Sequence, residues 1–206
     1  MSLSLALFGT SADPPTVGHG QILTYLSQNF QQVAVWASDN PFKTHGASLQ
    51  QRQEMLRLLL SDLALNPQQV QLAPHLSHRR TLHTLETAQQ HWPTATFTLV
   101  IGSDLVTQLP QWYQVQALLR HVNLLVVPRA AAPLKASAID TLQAHTTVTI
   151  APFTGPPVSS SAVREQGDTT ALSPSVHHYI QAHQLYPCVP PCPPPRPPLP
   201  SIPPQS

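Results

Sequence analysis

Residues 3–26 read LSLALFGTSADPPTVGHGQILTYL. The run 3–9 is almost continuously apolar, which marks a strand covered on both faces. A Gly-Thr-Ser turn follows, and Pro14 and Pro15 stop the strand from continuing. Beyond them Ile22, Leu23, Leu26 and Phe30 recur at helical spacing. Thr16 stands where it can cap that helix, with Gly18 and His19 in its first turn. A buried strand, a short loop and an amphipathic helix open a unit in which the helix carries the chain back to a parallel neighbour.

The same pattern continues along the chain. Runs rich in Val, Leu and Ile at 33–38, 70–73, 96–102, 122–127 and 148–152 read as further strands. Helical periods lie between and after them: 49–60, then Leu82, Leu85, Ala88 and Trp92, then Val176, Tyr179, Ile180 and His183. This alternation predicts an α/β fold, a doubly wound, Rossmann-like parallel sheet with helices on both faces. Such sheets bind ligands beyond the carboxyl ends of their strands, here the loops 9–19, 38–46, 74–81, 102–112 and 153–164. The patterned region closes at 186, giving one domain (1–186) and a disordered Pro-rich C-terminal tail (187–206) with eleven of the 24 prolines. The tail contains PPRPP, which suits an aromatic groove of the SH3 kind. Its cysteines, Cys188 and Cys192, lack the further ligands of a zinc site and read as free thiols.

Charged residues make up only 9% of the 206 residues, against roughly 25% in an average soluble protein. The net charge of +1 gives no global field to attract nucleic acid or an anionic membrane. Any anion site must therefore be local. No stretch approaches a membrane span, and the opening residues lack the basic start of a secretory signal, so a cytoplasmic protein is expected.

Local anion chemistry is found at the strand ends. A helix start offers free N–H groups and a positive dipole end, so it suits a phosphate. Gly18 lets a ligand approach the backbone, and His19 adds a donor. A histidine there is also an ordinary capping residue, and the first loop alone leaves that choice open. After the second strand, SDNPFKTH (38–45) carries Lys43, one of two lysines. After the fourth, IGSDLVTQLPQW (101–112) offers Gly102 for close approach and Asp104 for a ribose hydroxyl. After the sixth, VSSSAVRE (158–165) opens a helix with three serines and places Arg164 a turn along. Each feature has a plain structural reading as a solvated lysine, a serine cap or an Arg–Glu pair. Four of them at four strand ends of one sheet describe a polyphosphate cradle.

Taken in order, these segments resemble the bacterial nicotinate-mononucleotide adenylyltransferases of the nucleotidylyltransferase superfamily. GTSADPPTVGH (9–19) is similar to the signature GGTFDPxHxGH, and VSSSAVR (158–164) to ISSTxIR. IGSDLVTQLPQW matches IGxDxL…LPxW, RRTLHTL (79–85) loosely matches SYTIDTL, and LSPSVHHYIQAHQLY (172–186) matches LPPxVxxYIxxHxLY. The resemblance implies an enzyme of NAD biosynthesis. It would join ATP, accompanied by Mg²⁺, to nicotinate mononucleotide, giving nicotinate adenine dinucleotide and pyrophosphate. It implies His19, Lys43 and Arg164 as catalytic residues. Gly9, Thr10, Thr16, Gly18, His19, Gly102, Asp104, Ser160, Ser161 and Arg164 would bind ATP. Lys43, Thr81 and Trp112 would hold the mononucleotide, Trp112 by stacking on the pyridine ring, and no residue is implied as a protein ligand to metal.

The chain departs from the family pattern at Thr10, Ala12 and Thr16 in the first signature. Arg80 and His83 stand where the family has Tyr and Asp, which leaves the choice between acid and amide mononucleotide open. The alternatives are a sister phosphopantetheine adenylyltransferase or cytidylyltransferase, a nucleotide-binding regulator without turnover, and an interaction protein working through its tail.

Overall fold

Six strands, β1 (Leu3–Thr10), β2 (Gln32–Ala37), β3 (Val70–Leu72), β4 (Ala95–Gly102), β5 (Val122–Val127) and β6 (Val148–Ile150), form one sheet in the order β3-β2-β1-β4-β5-β6. All five pairings are parallel. The computed structural model describes residues 2–40, 43–156 and 158–187. Each expected strand is present within two residues of its expected bounds. The tail expected over 187–206, with PPRPP and both cysteines, lies outside the described residues from 188 onward.

The helices are α1 (Val17–Asn29), α2 (Leu49–Asp62), α3 (Thr81–His91), α4 (Ser103–Val106), α5 (Val115–Leu119), α6 (Ala136–Gln143), α7 (Ser160–Gln166) and α8 (Pro174–Ala182). They cover the sheet on two faces, and the two-residue alternation of strand side chains divides the core accordingly. On β1, Ala6 and Phe8 join one cluster with Leu23 and Leu26 of α1, Met55, Leu56 and Leu59 of α2, and Val176 and Ile180 of α8. Leu5 and Leu7 join the other, with Leu82 and Leu85 of α3, Leu118 and Leu119 of α5, and Ile139 and Leu142 of α6. Burial on both faces is why the strands read as apolar runs and not as alternating patterns.

Local chemistry sets the helix starts. Ser48 and Gln51 exchange bonds across the first turn of α2, the Ser48 hydroxyl accepting from Gln51 N–H (3.2 Å) and Gln51 Oε1 from Ser48 N–H (2.9 Å). Pro174 opens α8, where its missing N–H costs nothing. Asp62, at the end of α2, accepts the N–H and hydroxyl of Ser175 and so ties α8 to α2.

The chain moves outward from β1 through β2 to β3, then crosses to β4 on the other side of β1. The ends of β1 and β4 thus leave connections running in opposite directions, which opens a crevice at their carboxyl ends. A hollow lined by Phe97, Arg120, His121 and His145 lies at the amino ends of β4 and β5, away from that crevice.

Candidate active site

His19 is fixed at the carboxyl end of β1 by three contacts. Its Nδ1 accepts the backbone N–H of Thr16 (3.0 Å) and lies 3.0 Å from Thr16 Oγ1. Its Nε2 lies 2.9 Å from Thr10 Oγ1, at the last residue of β1. Since the Thr16 amide can only donate, Nδ1 must be bare and the ring proton sits on Nε2. Burial, and secondly the Arg129 guanidinium, push the His19 pKa down from 6.5 to about 4. The ring is therefore neutral at pH 7, with one N–H at the crevice. Thr16 is the N-cap of α1, and Gly18 faces Pro156 and Val158 across a narrow gap.

Asp13 organises the loop between β1 and α1. Its carboxylate is buried and accepts the N–H groups of Gly46 (2.8 Å) and Ala47 (3.1 Å) and the hydroxyl of Tyr186 (2.6 Å). Arg164 donates to the Asp13 carbonyl (2.6 Å) and to Ser161 Oγ (3.2 Å), and Ser160 Oγ donates to the Pro14 carbonyl (2.8 Å). The serine–arginine start of α7 is thereby seated on the 13–16 loop, although Ser160, Ser161 and Arg164 lie about 150 residues away in sequence. Ser159, not Ser160, caps α7, accepting from Ala162 N–H (3.0 Å), which leaves the next two serines for other partners.

Arg52 was not singled out from the sequence. It is buried in α2 and donates to the carbonyls of Ser11 (2.7 Å), Ser38 (2.9 Å) and Ala47 (3.3 Å). One guanidinium thus pins the loops after β1 and β2. Lys43 is exposed, and its backbone N–H donates to the Asn40 carbonyl (3.2 Å). His45, two residues on, lies 3.7 Å from Asp13, and burial followed by the charge of Arg52 lowers its pKa.

Gly9 has a packing role. A side chain there would meet the buried Trp36 indole at 2.6 Å, so its smallness serves the register Gly9–Trp36. Gly102 caps α4, and Asp104 in that helix lies 3.2 Å from Arg129. The Arg129 N–H also donates to Ser103 Oγ (2.9 Å), which fixes the β5 end beside the β4 end. Among the described residues no group of three or more His, Cys, Asp or Glu side chains converges to hold a metal ion.

The chain has counterparts among known proteins. Residues 7–166 match the family model described as cytidylyltransferase-like. A Synechocystis sp. protein named "Probable nicotinate-nucleotide adenylyltransferase" is 42% identical over 207 residues, covering 89% of this chain and 99% of its own. The chain belongs to the nicotinate-nucleotide adenylyltransferase family. A Synechococcus sp. protein of the same name is 29% identical over 88% of this chain and 96% of its own. In fold, a Plasmodium falciparum nicotinic acid mononucleotide adenylyltransferase complexed with NaAD superposes with a TM-score of 0.77 at 19% identity, covering 89% of this chain and 97% of that one.

In this family member the second group of expected residues lies on the other face of the sheet. Thr81 is the first residue of α3, and Trp112 is half-buried against the second core cluster after the 3-10 turn Leu109–Gln111. Arg80 and Tyr113, their immediate neighbours, touch, with the guanidinium carbon 4.0 Å from the ring centroid. The loops after β3 and β4 therefore meet. Arg129 had a readable signal, since it follows β5 directly and every strand end of such a sheet is a candidate. Arg52 had one too, as a charge among the apolar positions of an otherwise amphipathic helix.

Proposed function

We propose that this nicotinate-nucleotide adenylyltransferase joins nicotinate mononucleotide to ATP through the residues gathered at the ends of β1 and β4. The observation that carries the reading is the tautomer of His19, a neutral ring whose only N–H lies at the crevice beside Thr10. A phosphate oxygen of the mononucleotide attacks the α-phosphorus of ATP in line. The bond to the oxygen bridging the α- and β-phosphates breaks, and pyrophosphate leaves with that electron pair. No covalent enzyme intermediate is required, so positioning and charge stabilisation supply the catalysis.

In this scheme His19 Nε2–H exchanges Thr10 for a phosphate oxygen of ATP. Gly9, Thr10, Thr16 and Gly18 line the first-strand side of the triphosphate site. Ser160, Ser161 and Arg164 close it from α7, and Gly102 and Asp104 hold the adenosine. Arg129 adds positive charge at the same end of the sheet. Lys43 enters from the loop after β2, while Thr81 and Trp112 hold the pyridine end. Magnesium accompanying ATP would supply neutralisation of phosphate charge, and with substrate oxygens and water as ligands it would not require a cage of protein side chains. The reaction belongs to the cytoplasm, where ATP is made and spent.

The test is pyrophosphate release with Mg²⁺-ATP and, in parallel, nicotinate mononucleotide, nicotinamide mononucleotide and phosphopantetheine. Turnover with a pyridine mononucleotide is expected. Turnover with phosphopantetheine alone would move the protein to a sister activity, and silence with all three from a folded, ATP-binding sample would make it a regulator.

A further inference from the structure

We propose that the Arg80 guanidinium receives the carboxylate of the acid mononucleotide and sets its preference over the amide. This rests on the adenylyltransferase reading above and deepens it at the acceptor end. Arg80 directly precedes Thr81, and its guanidinium carbon lies 4.0 Å from the centroid of Tyr113, which directly follows Trp112. The His83 ring stands 5.8 Å from the same centroid. Tyr113 thus holds the guanidinium between the two loops that frame the pyridine end.

The neighbouring basic side chains already have partners. Arg79 Nε lies 3.6 Å from Asp39, and His83 Nδ1 lies 2.9 Å from Glu86. Arg80 has no carboxylate within ion-pair distance among the described residues. A guanidinium stacked by one face keeps its edge donors free, and that edge matches a carboxylate with two parallel N–H···O bonds. The acid and amide mononucleotides share every group except the ring substituent. A cation at that substituent favours the anionic carboxylate over the neutral carboxamide. A cation at the shared phosphate would favour both equally. Arg80 is also a position where the chain departs from the motif SYTIDTL that residues 79–85 otherwise loosely match.

The experiment measures kcat/KM for both mononucleotides, at saturating Mg²⁺-ATP, in the wild type, Arg80→Gln and Arg79→Gln. The wild type should favour the acid. Arg80→Gln should cut the acid-to-amide ratio about tenfold, as loss of one charged hydrogen-bonded contact would, mainly through KM for the acid. The KM for ATP should not move, and Arg79→Gln should keep the wild-type ratio. An unchanged ratio in Arg80→Gln overturns the proposal while leaving the adenylyltransferase reading intact. Equal losses with both mononucleotides put Arg80 at the phosphate and overturn it as well. So does an equal shift in Arg79→Gln, which would reduce the effect to general positive potential. A wild type that turns over neither mononucleotide removes the adenylyltransferase reading, and this inference with it.

Discussion

At His19 the backbone N–H of Thr16 can only donate, so the nitrogen facing it has to accept and the ring proton stays on Nε2. Burial of the ring, and secondly the Arg129 charge, oppose its protonation, and the pKa falls to about 4 accordingly. The unfolded chain takes up the proton near pH 6.5, whereas the folded one resists until about 4. Stability from this ring is thus complete above pH 6.5 and drains away as pH falls towards 4, by at most about 3 kcal/mol. His19→Asn keeps an acceptor for the Thr16 amide but cannot titrate. Urea midpoints at pH 7.5 and 4.5 should therefore differ less in the variant than in the wild type; an equal difference would deny His19 its part in acid lability. Catalysis makes a separate demand on the same residue. In the proposed reaction His19 donates to developing phosphate charge, so His19→Ala should lower kcat on the order of 10²-fold. An unchanged rate in a folded variant would remove the phosphate role.

Elements became legible in proportion to their apolar content. The strands are nearly continuous Val, Leu and Ile because both faces are covered, and they stand out in sequence within two residues of their true ends. Helices α4, α5 and α6 span four, five and eight residues and bury two residues each, too short a record for a period to show. The candidate site divides in the same way. Residues at strand ends were readable because topology places ligands there, whereas Asp13 stood in plain view in the signature with partners 33 to 173 residues distant. Arg52 belongs to that second kind, its role set by three carbonyls contributed from different loops. Arg52→Lys keeps the charge but replaces a fork with a point, which cannot reach all three. The orphaned carbonyls should cost about 2–3 kcal/mol. Thermal denaturation should show a lowered Tm, and KM for ATP should rise as the loops after β1 and β2 loosen. A Tm equal to that of the wild type would mean that water satisfies those carbonyls and Arg52 is no clamp.

Across the whole molecule the two ends of the patterned chain close on one buried carboxylate. Tyr186 turns inward with a positive φ of 54° and donates its hydroxyl to Asp13 Oδ1 at 2.6 Å. Its ring occupies the space that a side chain on Gly46 would take, 2.8 Å from the position of such a Cβ. Burial, reinforced by the Asp13 carboxylate, raises the Tyr186 pKa far above its usual range, so the phenol stays a donor at every physiological pH. The loop that carries Asp13 also receives Arg164 and Ser160, and Tyr186, 173 residues on from Asp13, is thereby part of the support for the first-strand signature. The functional boundary of the chain should follow this contact. A chain ending at Pro187 retains Tyr186 and should match the full chain in Tm and in pyrophosphate release. Tyr186→Phe in the full chain leaves the ring but strips one donor from a buried carboxylate, which should cost about 1–3 kcal/mol and raise KM for ATP through Arg164. Should the shortened chain lose turnover while Tyr186→Phe keeps it, the residues beyond 187 take part in the reaction and Tyr186 is not where the catalytic unit ends.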